Sequence, residues 1–128
     1  MNPTDRKERG WKLIEQMMGV EHAREVREEW IKACPDFAEY VVEFVSGEIW
    51  SRSGLDRRTK SLITVATMAA LGRERALKLN VKMALHNGAT HQDIMEALLH
   101  IAPYAGFPAA WEGLATAAEV VAEEKKGD

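Results

Sequence analysis

Several polar side chains sit where acid-base or anion-binding chemistry is possible. In "ALKLNVKMALHNG", residues 76–88, Asn80 lies among the apolar Leu77, Val81 and Ala84, and His86 falls near the end. An amide placed there can donate a hydrogen bond to an oxygen on which negative charge develops, although it does not transfer a proton under ordinary conditions. The alternative is an amide satisfied by its neighbouring backbone. From position 80 to 86 a helix turns through about 600°, so the two side chains leave on different faces. A cationic imidazole in a last helical turn is favoured by the helix dipole. That is reason enough for a surface histidine, and an acid-base role for His86 is the alternative. In "EALLH", Glu96 and His100 are four apart and share a helix face. They form either an exposed ion pair or a carboxylate that orients an imidazole to act as the acid.

A second group lies between residues 43 and 52. Arg52, two residues after Trp50 in "WSRSGLDR", can grip a substrate carboxylate through two parallel hydrogen bonds. It can equally bridge to Glu43, Glu48 or a partner subunit. Glu43 and Glu48 would serve as proton donors only if an apolar setting raised their pKa. Tyr104, in "PYAGFPAA", lines a pocket or keeps its hydroxyl bonded inside the core. Of the 4 histidines, His22 and His91 read as solvated. No histidine spacing suggests a metal set, and none is expected. The 1 cysteine, Cys34, forms no internal disulfide, no CxxC redox pair and no cysteine-based zinc site.

The elements that must position these groups all read as helices. Trp11, Ile14 and Met18 recur at helical spacing before Gly19. Val26, Trp30, Ala33 and Cys34 mark a second stripe, ended by Pro35. Asp36 can cap a third helix with Phe37, Tyr40, Val41, Phe44 and Val45 on its apolar face. After the loop "WSRSGLDR", residues 56–71 form the most apolar helix, which lacks a clean polar face after Ser61. Such a helix is buried in the subunit centre or at a subunit interface. Gly72 ends it and Gly88 ends the next. Thr90 and Asp93 have the spacing of a capping box. Pro103 and Gly106 interrupt that helix, and Pro108 starts the last one. The fold class is all-α, with six to seven helices around a central helical hairpin, in one domain over residues 1–128.

The chain has 128 residues, 46% hydrophobic and 29% charged, which is a globular composition. A formal net charge of -3 argues against a nucleic-acid partner. The longest uncharged run, "SLITVATMAALG", is too short to span a bilayer. The polar start "MNPTDRKERG" has no apolar signal region. With the lone cysteine, this points to a cytoplasmic protein.

"WSRSGLDRRTKSLITVA" and "NGATHQDIMEALLHIAPYAGFPAA" together resemble the carboxymuconolactone decarboxylase family, within the alkylhydroperoxidase-like superfamily. "RGWKLIEQMMG" and "VEFVSGEIW" are similar to its shorter decarboxylase branch. The resemblance covers nearly the whole chain. It implies an all-helical subunit, assembly as a trimer or hexamer, and active sites near subunit contacts. It also implies a cofactor-free decarboxylase of a small carboxylated lactone of the 4-carboxymuconolactone type, in aromatic-compound breakdown.

In the peroxidase branch the matching positions hold a CxxC pair, a glutamate and a histidine. Here Arg73 and Ala76, Ser61 and Asn80 stand there, so thiol peroxidase chemistry is not expected. The decarboxylase branch usually carries a glutamate at Ala76 and a histidine at Asn80. The missing acid-base pair leaves three expectations. Glu96, His100 or a neighbouring subunit supplies the proton; another lyase or isomerase reaction is catalysed; or the fold persists as a non-catalytic ligand-binding or assembly protein.

Overall fold

A computed structural model describes residues 3–126. Among them the chain is all-α, with eight α-helices and one π-helical segment and no strand. The π segment continues α3 without a break and α7 is one turn long, so the six to seven helices expected match the principal elements. By their internal packing, Met1–Leu55 and Asp56–Asp128 form two compact units. No helix among the described residues is long and apolar enough to cross a membrane.

The first unit contains α1 (Pro3–Met18), α2 (Val20–Ala33), α3 (Pro35–Tyr40) and the π segment Val41–Trp50. Gly19 ends α1 with φ 85, a left-handed conformation that a Cβ disfavours. Pro35 pushes Cys34 into extended backbone, which stops α2, and then serves as the first residue of α3. Leu13, Ile14, Met17, Ala23, Val26, Ala38 and Val42 form the core of this unit. The Arg27 guanidinium sits 4.7 Å over the Trp11 ring, where a cation meets the negative face of the π system.

The third apolar stripe faces the other way from its sequence reading. Phe37, Tyr40 and Phe44 are 50%, 69% and 54% exposed, while Ala38, Val42, Ser46 and Gly47 point inward. The cause is the close approach of α1. A Cβ on Gly10 would lie 1.8 Å from the Val42 carbonyl oxygen, and one on Gly47 would lie 2.5 Å from the Arg6 carbonyl oxygen. Only small residues fit on that side, so the large ones turn outward. Ala33 and Cys34, read as part of a buried stripe, are exposed because α2 ends there.

The second unit contains α4 (Arg57–Leu71), α5 (Glu74–His86), α6 (His91–His100), α7 (Ala102–Ala105) and α8 (Phe107–Lys126). Asp56 caps α4 by accepting a hydrogen bond from the Thr59 amide at 2.7 Å. The Thr90–Asp93 capping box is formed in both directions. Val65, Ala69, Leu77, Val81, Ile94, Leu98 and Val120 make one core. At Gly113, α8 comes so near that a Cβ would meet Ala69 Cβ at 3.0 Å and Leu98 at 3.1 Å. Helix α4 buries only the Ser61, Val65, Ala69 side within the chain. Ile63 and Leu71, 50% and 60% exposed, lie on its other side.

Candidate functional site

Helix α5 places Ala76, Asn80 and Asn87 close to one line along its surface. Offsets of four and eleven residues differ by about 40° and 20° from a whole number of turns. Gly88, at φ 94, turns the chain away directly after this face. Asn80 is half-buried, and its Nδ2 donates to the Ala76 carbonyl one turn earlier at 2.8 Å. The local backbone bond is therefore present. It uses one of the two amide N–H groups and leaves the second N–H and the carbonyl oxygen of the side chain.

At the C-cap of α5, Asn87 Nδ2 donates to Ser61 Oγ on α4 at 2.9 Å. Ser61 is 1% exposed. Sequence reasoning named Ser61 as the last polar mark on its helix and the counterpart of a peroxidase glutamate, and gave Asn87 no site role. The structure joins them as a part-buried polar pair, with Asn87 on the α5 face that also carries Asn80. The spacing of 76, 80 and 87 was the available signal. The pairing across 26 residues was not.

A cavity of about 320 Å3 opens beside the α4–α5 turn, lined by Met68, Gly72, Arg73, Leu77, Glu112 and Thr116 among others. It holds one arginine and two carboxylates, those of Glu74 and Glu112. None of the expected site residues lines it, and Arg73 and Glu112 were not anticipated as binding groups. Arg73 lies in it because Gly72, at φ 71, reverses the chain between α4 and α5.

Other expected residues of this unit stand outside that face. Glu96 Oε1 accepts from Gln92 Nε2 at 2.9 Å, so its hydrogen bond runs one turn back along α6. His100 instead tilts against Tyr104, with ring centroids 5.7 Å apart and 46° between planes. Tyr104 is 81% exposed, which rules out a hydroxyl held inside the core of the chain. His86 is exposed, with Nε2 3.9 Å from Glu124 Oε2, an ion pair when the imidazole is protonated. Among the described residues, no group of three or more histidine, cysteine or acidic side chains is placed to hold a metal ion.

The remaining residues belong to the first unit. Glu48 does not gain a raised pKa. The Arg6 guanidinium, bonded at 2.8 Å, holds it below the usual carboxylate value, and desolvation opposes this only in part. Glu48 is therefore an acceptor and not a proton donor near neutrality. Glu43 is half-buried in the π segment, and Trp50 is half-buried at its end. Arg52 is exposed in the following loop, where its amide donates to the Ile49 carbonyl at 3.3 Å. Glu48 and Arg52 line one shallow depression of about 580 Å3 with Arg9, Ser51, Ser53 and Gly54.

Residues 35–119 match the model of the carboxymuconolactone decarboxylase family. The chain belongs to that family. It is 36% identical over 120 residues to a 4-carboxymuconolactone decarboxylase of Acinetobacter baylyi, covering 94% of this chain and 90% of the relative. It is 30% identical over 105 residues to a nitrosuccinic acid decarboxylase of Metarhizium robertsii, covering 82% of this chain and 73% of that one. It is also similar to an uncharacterised 15.0 kDa protein of Paracoccus denitrificans, 33% identical over 73% of this chain and 71% of the relative.

Proposed function

We propose that this protein is a cofactor-free carboxy-lyase acting on a small carboxylated lactone of the 4-carboxymuconolactone type, in aromatic-compound breakdown. The observation that carries the reading is the 36% identity, extending over 94% of the chain, to a decarboxylase of that substrate. In the reaction the C–C bond to the departing carboxylate breaks and its electron pair moves into the lactone carbonyl. CO2 leaves, and the resulting dienolate takes a proton at carbon. The developing oxyanion needs hydrogen-bond donors aimed at it. The second amide N–H of Asn80 suits that task, with the Ser61–Asn87 pair fixing the end of the same face.

The proton has to come from elsewhere, because Ala76 has no acid and Asn80 does not transfer one. His100 is the donor in this reading. Its imidazole is exposed and packed on Tyr104, and histidine is the side chain most often used as a general acid. The protein acts as a cytoplasmic homo-oligomer, a trimer or hexamer. Phe37, Tyr40 and Phe44 in one unit, and Tyr104, Phe107 and Trp111 in the other, are each at least half exposed on a single chain, as is usual for surfaces that meet another subunit. A second reading, a divergent reaction or a ligand-binding role, is favoured by the backbone-bonded amide at position 80.

Incubation with 4-carboxymuconolactone, following CO2 release and ultraviolet absorbance, tests the first reading. A rate no faster than the uncatalysed one removes it. Ala76→Glu with Asn80→His then tests what was lost. Gain of turnover in the double variant means an intact pocket without its acid-base pair.

A further inference from the structure

We infer that the cavity between the α4–α5 turn and α8 binds a small apolar α-amino acid, its carboxylate on Arg73 and its ammonium on Glu112. The cavity, about 320 Å3, falls in the size range of small-molecule sites. All of its walls belong to the second unit. Half-buried Met68 and buried Leu77 supply an apolar lining. The close approach of α8 at Gly113 to Ala69 and Leu98 holds those helices together beneath it.

Three polar groups on these walls lack a side-chain partner among the described residues. Thr116 is 8% exposed, so little of it meets bulk water. Thr64 and Thr67 donate their hydroxyls to the carbonyl one turn back, at 2.8 and 2.7 Å. Among the described residues Thr116 makes no such bond, and a buried hydroxyl without a partner is costly. Arg73 and Glu112 line the same cavity, yet among the described residues neither forms an ion pair. Glu74, the second carboxylate of the lining, is matched by Lys78 at 3.6 Å. One cation and one anion therefore remain for a ligand.

That balance selects the ligand class. A simple anion on Arg73 would have Glu112 against it, and a simple cation on Glu112 would have Arg73 against it. A molecule carrying both charges meets each with its opposite. Its anionic end is also favoured by the first turn of α5, whose N-cap residue, Arg73, makes no capping bond from its side chain. The Thr116 hydroxyl both donates and accepts, so it serves either end. Met68 and Leu77 receive an aliphatic side chain. An α-amino acid carries all three features on one carbon. The assignment does not rest on the carboxy-lyase reading.

Calorimetric titration of the full chain with L-leucine tests the site without reference to turnover. Leucine is expected to bind once per chain. It should bind about tenfold more tightly than isocaproate, which lacks the ammonium, or isoamylamine, which lacks the carboxylate. Glycine, which lacks the side chain, should also bind about tenfold more weakly. Arg73→Gln and Glu112→Gln, both at exposed positions, should each weaken leucine binding about tenfold and leave the melting temperature unchanged. Thr116→Val should weaken binding without lowering the melting temperature, because no bond within the chain is lost. If Thr116→Val does not fold, the two exposed variants decide. Absence of leucine binding, or leucine binding unchanged in Arg73→Gln or Glu112→Gln, overturns the proposal. Isocaproate, isoamylamine or glycine binding as tightly as leucine overturns it too, because the site then reads one charge alone or no side chain.

Discussion

Replacing Gly10 with alanine tests the packing that fixes α1 against the π segment. The new Cβ would lie 1.8 Å from the Val42 carbonyl oxygen and 2.9 Å from the Gly47 amide nitrogen. Contacts under 3.0 Å are essentially never seen for a real Cβ, so the oxygen has to retreat by at least 1.2 Å, the gap between 1.8 and 3.0 Å. Both neighbours are main chain, and no side-chain rotamer can absorb the change. Overpacking costs about 1–3 kcal/mol where side chains give way, and a backbone obstacle places this site at about 3 kcal/mol. Alanine returns about 1 kcal/mol through its better helix propensity. The net loss is about 2 kcal/mol, a large part of the 5–15 kcal/mol typical of a folded domain. At this length that lowers the melting temperature by about 8 °C. Urea denaturation followed by circular dichroism measures the change. Gly54→Ala, with open space around its Cβ, serves as the control and is expected within about 0.5 kcal/mol of wild type. A Gly10→Ala midpoint equal to or above wild type would refute the backbone-contact argument.

Four further outcomes are expected. Glu48, Asp56 and Asp93 are all held below their ordinary pKa: Glu48 by Arg6, Asp56 by the Thr59 amide, and Asp93 by the Thr90 amide and Arg58. Their contribution is complete above the unfolded values of about 4 and is lost as pH falls through the depressed folded values. Denaturation midpoints should therefore drop on acidification below that point, and Asp93→Asn should flatten the slope; midpoints that hold steady or rise in acid contradict this. Ser61→Val removes the acceptor of Asn87 and should cost about 1–3 kcal/mol, with Asn87→Ala adding less than its own effect in the double variant. Asn80→Ala, losing only a bond within its own helix, should melt within a few degrees of wild type yet lower CO2 release; unchanged release would leave the amide no polarising role. His100→Gln should slow CO2 release by about 10²-fold or more while His86→Gln does not, and the opposite pattern would reassign the proton donor.

Local chemistry made most of the helix boundaries legible. Gly19, Gly72, Gly88 and Gly106 all adopt positive φ where the chain turns, and the Thr90–Asp93 box forms as its spacing requires. Facing was harder to read. Phe37, Tyr40 and Phe44 have ideal helical spacing, yet a contact from α1, about thirty residues earlier, decides which side is inward. Ser46 and Gly47 were inconspicuous because burial there selects for small size and not for apolarity. For the candidate site, sequence patterns single out individual positions but not the bonds those side chains make. Glu96 had two polar partners at four-residue spacing, Gln92 behind and His100 ahead, and the sequence could not choose between them. Arg6–Glu48, 42 residues apart, and Asn87–Ser61, 26 apart, left no local trace at all.

The contact between Gly10 and the π segment also bears on how this protein can be re-engineered. Arg6 lies about one turn before the adjacent Arg9 and Gly10 on α1, and the backbone touching at Gly10 sets their height and rotation together. One wall of the depression lined by Arg9 and Arg52 is therefore built from main-chain geometry, and changes there disturb the packing of α1 on the π segment. The opposite wall is an exposed loop whose Ser53 and Gly54 meet few constraints. Substitutions at Ser53 and Gly54 are therefore expected to leave the packing of α1 unchanged.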